Sequence, residues 1–215
     1  MTGAWQVVMP VKPFAVAKSR LGGWAGCRRA ALARSFFLDT LSVALGTDGV
    51  ARVIVVTEDP EARADALSMG ALAVDDRPRT GLNTAALRGV ACARSLDLGA
   101  PVAVLAADLP ALRRTELSHV LALARHYPRA FLADHTGHGT TVLTAGRAQA
   151  LRPAFEGASR HNHRLSGAHE ITSSSCPSVR LDVDTADDLR AAERLGVGQH
   201  TSRTIPSSPS AAAIL

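Results

Sequence analysis

Aromatic residues are scarce, at 4% of the chain. Few rings are therefore available on which the bases of a nucleic acid could stack. The 24 basic residues outnumber the 19 acidic ones for a formal charge of +5. They are scattered rather than gathered into a stripe, which argues against nucleic acid as a partner and leaves an anionic small substrate. No apolar run approaches the roughly 20 residues that cross a bilayer, so no membrane partner is expected. The opening "MTGAWQVVMPVK" lacks a basic segment followed by a long apolar one. No signal peptide is expected, and the expected location is cytoplasmic. Cysteine is also sparse. Cys27, Cys92 and Cys176 lie far apart, are odd in number and show no metal-ligand spacing. They read as free thiols in a reducing compartment. The sparsest cation is lysine: Lys12 and Lys18 are the only two among the 24 basic residues. An ammonium on a flexible stem suits contact with a phosphate as a point charge.

What is present is a regular alternation. With 215 residues, 47% of them hydrophobic, the chain has the size of one globular domain. Residues 6–10, 52–57, 71–76, 102–107, 130–134, 140–145 and 179–183 read as strands. Residues 28–45, 60–69, 83–96, 115–126 and 185–195 have helical spacing, with Thr115 a plausible N-cap. A loop-rich stretch covers 152–178. Strand–helix alternation predicts an α/β fold: a doubly wound, mostly parallel sheet with helices on both faces. In such sheets ligands bind beyond the carboxyl ends of the strands. Residues 1–197 read as a single domain. Residues 198–215, rich in Ser, Pro and Ala, read as a disordered tail.

The chemistry concentrates at strand ends. In "VAVLAADLPAL" six apolar residues lead toward Asp108, and a carboxylate at the mouth of a buried strand needs a partner. Asp182 and Asp184 are two apart in an extended segment, which places them on one face. Carboxylates held side by side favour a cation between them, and Mg²⁺ takes such hard oxygens together with substrate phosphates. The nearby Thr185, Asp187 and Asp188 have a structural reading as a capping box and as acids at a helix start. After the first strand, "MPVKPFAVAKSRLGG" brings Lys12, Lys18 and Arg20 to the edge where phosphates would sit, though it matches no P-loop or G-x-G-x-x-G pattern. His161, His163 and His169 lack an acidic or Cys partner at metal spacing, so zinc is not expected. Arg160, His163 and Arg164 read instead as helpers for an anionic substrate, with a solvated polar loop as the other reading.

"MPVKPFAVAKSRL", "GLNTAA", "DLPAL", "GTT", the S-x-x-x-H-x-x-x-G run from Ser159 through His163 to Gly167, and "DVDT" occur in that order. Together they resemble the guanylyltransferases of deazaflavin coenzyme F(420) biosynthesis, which act on phosphoenolpyruvate or 2-phospho-L-lactate. The actinobacterial, phosphoenolpyruvate-using branch is the most similar. The resemblance covers about residues 5–197. It implies a nucleotide-diphospho-sugar-transferase-like (Rossmann-like) fold and transfer of GMP from GTP to the acid with release of pyrophosphate. It further implies Asp108, Asp182 and Asp184 as ligands of Mg²⁺, two ions in all. Thr140, Ser159, Gly157 and His163 would bind the acid. Lys12, Lys18 and Arg20 would face the GTP phosphates, with Asn83 beside the nucleotide. Two positions depart from the pattern. Ala107 stands where relatives have Gly, and Gly157 is one place off in Phe155-Glu156-Gly157-Ala158-Ser159. Other readings stay open: a sugar phosphate or molybdopterin acceptor, or an inactive nucleotide-binding regulator. Monomer and homodimer are both open.

Overall fold

The computed structural model describes residues 4–21 and 25–205. Seven strands form one sheet: β1 (Trp5–Pro10), β2 (Val50–Thr57), β3 (Leu72–Asp75), β4 (Val102–Leu105), β5 (Arg129–Ala133), β6 (Thr140–Ala145) and β7 (His169–Glu170). Their order is β3-β2-β1-β4-β6-β5-β7. Neighbours pair in parallel except at β6, which is antiparallel to both β4 and β5. The helices are α1 (Arg29–Leu45), α2 (Pro60–Ser68), α3 (Leu82–Leu96), α4 (Arg114–Ala124), α5 (Ser159–Leu165), α6 (Pro177–Arg180), α7 (Ala186–Leu195) and α8 (Gln199–Thr204). None of the described helices is long and apolar enough to cross a membrane.

The central strands are apolar on both sides because both faces are covered. Val7, Met9, Val53, Val55, Ala103 and Leu105 pack toward Phe37 and Leu41 of α1 and Leu117, Val120 and Leu121 of α4. The alternate residues Val8, Ile54, Val56, Val102 and Val104 pack toward Ala85, Ala86, Val90 and Ala93 of α3. This is the period-two pleat filled from both directions. α3 lies close to its face of the sheet because Gly89 has no side chain: a Cβ there would fall 2.2 Å from Val8 Cγ1 and 2.9 Å from Val56 Cγ2.

Three expectations are corrected. Residues 179–183 form no strand: Pro177 opens the short helix α6, and 181–184 pair with no strand of the sheet. α4 begins at Arg114, so Thr115 lies inside its first turn, and no side chain caps it. The tail expected from residue 198 starts with an ordered helix. α8 packs on α1, where the buried Asp39 accepts the backbone N–H groups of His200 (3.0 Å) and Thr201 (2.8 Å). A carboxylate at an N-terminus satisfies donors that would otherwise be orphaned. Residues 206–215 of that tail lie outside the described residues, as does the side chain of Cys27; Cys92 and Cys176 are free thiols.

Candidate active site

A cavity of about 660 Å³ opens beyond the carboxyl ends of β1 and β4. Its lining includes Lys12, Lys18, Arg20, Ala107, Asp108, Asp182 and Asp184, and, across from them, Thr140, Gly157 and Ser159. Residues scattered over most of the sequence therefore meet in one place, at the edge where a doubly wound sheet binds ligands.

Each wall has a structural cause. The basic loop after β1 is tied down by Asp59, whose carboxylate accepts the Phe14 N–H at 2.8 Å while capping α2 through Glu61 and Ala62. Further along the loop, Lys18 takes a left-handed φ of +56°, a region non-glycine residues avoid. Its ammonium contacts Asp108 and lies 2.7 Å from Asp184, while Arg20 stands 3.7 Å from the same Asp184. Burial alone would lower the Lys18 pKa, but Asp108 and Asp184 outweigh it and hold it above the usual lysine value.

The segment bearing Asp182 and Asp184 is not a strand, yet it keeps a strand's alternation. Leu181 and Val183 are buried in a cluster with Phe36, Leu189 and Ala192. Asp182 and Asp184 face the cavity. The Val183 N–H donates to the Asp108 carbonyl at 3.1 Å, pinning the segment beside β4. Asp182 is the least satisfied of the three acids: its Oδ1 is buried without a hydrogen-bond partner. Burial, then the carboxylates of Asp108, Asp134 and Asp184, raise its pKa to about 7. Among the described residues no three His, Cys, Asp or Glu side chains converge into a finished metal cage; two of the three carboxylates hold the lysine ammonium instead. An ammonium in that place shows that the wall accepts a cation.

On the opposite wall, Thr140 opens β6 and Ser159 opens α5. Their hydroxyls are 3.2 Å apart. Gly157 has φ +72°, suited to glycine, so its one-place shift still leaves it lining the cavity. Glu156 does not add a charge there. Its carboxylate turns toward Gly81, the residue that precedes α3, where the positive end of the helix favours it. Ala107 lines the cavity, and its methyl packs against the core.

Four residues expected at the substrate sit elsewhere. His163 is fully buried, with its ring against Phe131 and Phe155. Asn83 accepts the Phe155 N–H at 2.8 Å, so it holds the loop that bears Gly157, while its neighbour Leu82 lines the cavity. Arg160 and Arg164 both pair with Glu170. Conversely, the sequence reading missed His135 and His138, which also line the cavity. His135 lies 3.4 Å from Asp182 and 3.0 Å from Asp188, propping the acidic segment from outside. Their one signal is position, just past the carboxyl end of β5.

Solved structures share the architecture. A nucleotide-diphospho-sugar transferase from Desulfovibrio desulfuricans, described as putative, has a TM-score of 0.66 at 17% identity, covering 89% of this chain and 87% of its own. A CMP:2-keto-3-deoxy-manno-octonic acid synthetase complexed with CTP has a TM-score of 0.57 at 17% identity, over 90% and 98%. At these identities the likeness is one of fold. Sequence relatives are nearer. A phosphoenolpyruvate guanylyltransferase of Streptomyces scabiei is 49% identical over 203 residues, 92% of this chain and 94% of the relative. One of Thermomonospora curvata is 44% identical over 205 residues, 95% and 90%. The family model "Guanylyl transferase CofC like" matches residues 5–205, and with these relatives it establishes that the chain belongs to the CofC-like guanylyl transferases.

Proposed function

We propose that the protein transfers GMP from GTP to phosphoenolpyruvate, releasing pyrophosphate, as a step of coenzyme F(420) biosynthesis. The observation that carries this reading is the pairing of two walls in one cavity: three carboxylates and cations on one side, a Thr–Ser–Gly surface on the other. The names of the relatives, phosphoenolpyruvate guanylyltransferases, support the same substrates.

The chemistry matches the residue types. A phosphate oxygen of the acid attacks the α-phosphorus of GTP, an O–P bond forms, and the bond to the departing pyrophosphate breaks. That oxygen is already anionic at neutral pH, so no general base is required. The demand is for charge neutralisation and in-line positioning. Lys12, Lys18 and Arg20 serve the triphosphate, with Lys18 moving off its carboxylates toward phosphate oxygen. Thr140, Ser159 and the backbone at Gly157 hold the acid. Asp108, Asp182 and Asp184 offer hard oxygens for Mg²⁺, and Asp182 Oδ1, which makes no hydrogen bond and has the His135 ring 3.4 Å away, suits that role. When bound, the metal neutralises developing charge on the phosphates.

The product test is direct. Mass spectrometry after incubating the protein with GTP, Mg²⁺ and both candidate acids in competition is expected to show guanylylated phosphoenolpyruvate as the main product. Turnover only with a sugar phosphate or molybdopterin, or GTP binding without turnover on any acceptor, would overturn the reading.

A second expectation concerns pH. The raised Asp182 pKa, about 7 against an ordinary 3.8, means the fold favours the protonated acid. Without divalent metal, stability is therefore lost as pH rises from about 4 through about 7. Mg²⁺ needs the ionised form and offsets that loss. The Tm gained on adding Mg²⁺ should be larger at pH 8 than at pH 5.5. An equal gain at both would remove Asp182 from the metal site.

A further inference from the structure

His163 touches neither the cavity nor any charged partner, yet its hydrogen bonds are fully specified. Nε2 lies 3.0 Å from the backbone N–H of Ala154, which can only donate, so Nε2 accepts. A neutral ring then carries its proton on Nδ1. Nδ1 lies 3.0 Å from Thr140 Oγ1, and the threonine oxygen must accept. The ring is held neutral: burial, then the Arg129 guanidinium, press its pKa down to about 4.

This has a consequence at the cavity wall. The Thr140 and Ser159 hydroxyls carry two protons and share one hydrogen bond at 3.2 Å. That bond consumes one proton. Since His163 donates, it consumes none, and one hydroxyl proton remains to face the cavity. With the opposite tautomer, the ring would take the second proton and the pair would turn only lone pairs toward a ligand, which repels an anion. We infer that His163 is a positioning residue whose Nδ1–H keeps the Thr140–Ser159 pair armed as a hydrogen-bond donor toward the anionic acid substrate. The same ring, through Ala154, steadies the loop that carries Phe155 and Gly157. The inference rests on the placement of the acid against Thr140 and Ser159.

The test has two arms. In the first, steady-state kinetics compare His163→Leu, which loses both hydrogen bonds, with His163→Asn, whose side-chain amide can donate where Nδ1 stood. His163→Leu is expected to raise KM for phosphoenolpyruvate about tenfold or more, the loss of one buried hydrogen bond to a charged group. KM for GTP stays within about twofold by the same arithmetic. His163→Asn is expected to recover much of the KM for the acid. A purely structural role would lower Tm in both variants and leave KM for the acid unchanged in the folded fraction, which overturns the inference. The second arm needs no substrate. Long-range ¹H–¹⁵N correlation of the imidazole ring in the full chain should show the Nδ1–H tautomer at neutral pH. An Nε2–H or cationic ring overturns the inference. If the unmodified protein guanylylates neither acid, the functional reading fails separately, while the ring spectrum still judges the hydrogen-bond arrangement.

Discussion

Asp108→Asn is expected to lower kcat about a thousandfold or more, the scale seen when a charge-stabilising group is lost from a transition state. The amide keeps the size of the side chain, so the loss isolates its charge. Asp108 lies just past β4, beside Lys18 and within the field of Asp182. Removing one anion relieves repulsion with Asp182 but also takes from the buried Lys18 ammonium one of its two carboxylate partners. The two effects oppose each other, so Tm should move only modestly even as turnover disappears. Pyrophosphate release and a thermal melt on the same preparation measure both. Near-normal turnover would remove Asp108 from the proposed metal site, and a large drop in Tm would make its role structural.

Gly89→Ala should destabilise the protein by about 2–3 kcal/mol, a typical cost of overpacking, and lower Tm by several degrees at the size scaling for a chain of this length. Helix propensity alone predicts the reverse, since alanine is about 1 kcal/mol better than glycine inside a helix. Packing decides the sign. The new methyl would land 2.2 Å from Val8 Cγ1 and 2.9 Å from Val56 Cγ2. Both valines are β-branched and sit in adjacent buried strands of the sheet, so neither can turn aside without meeting its neighbours. Relief would require α3 to lift, and α3 carries Leu82 at the cavity. A Tm equal to or above that of the unmodified protein would show that the helix backs away at little cost.

The sheet and its helices were legible because β-branched runs and helical spacing are local properties. "RVIVVT" needs nothing from elsewhere in the chain to become β2. Asp108 was legible for the same reason, as a charge interrupting an apolar run. Asp182 and Asp184 share one face as their spacing predicts: the segment is no strand, but Leu181 and Val183 still anchor it on alternate residues. What escaped the sequence depends on distant partners. His163 sits among arginines in "SRHNHRL" and looks solvent-facing. Its burial comes from Phe131 and the 154–155 backbone, which the fold delivers. Asn83 looked like a nucleotide contact, yet its bond is to a residue 72 positions away. His135 carries no motif. Only the turn after β5 brings it to Asp182.

The reversed direction of β6 has an architectural consequence. Because β6 runs against its neighbours, its first residue, Thr140, stands at the edge where parallel strands end. The sheet thus divides at the β4–β6 seam. The basic loop and Asp108 lie on the β1 and β4 side, and every residue assigned to the acid lies in one continuous stretch, 134–170. Under the proposed function that stretch is a cassette: exchanged as a unit with His135 kept against Asp182, it is expected to carry a new acceptor preference while Lys12, Lys18 and Arg20 stay in place.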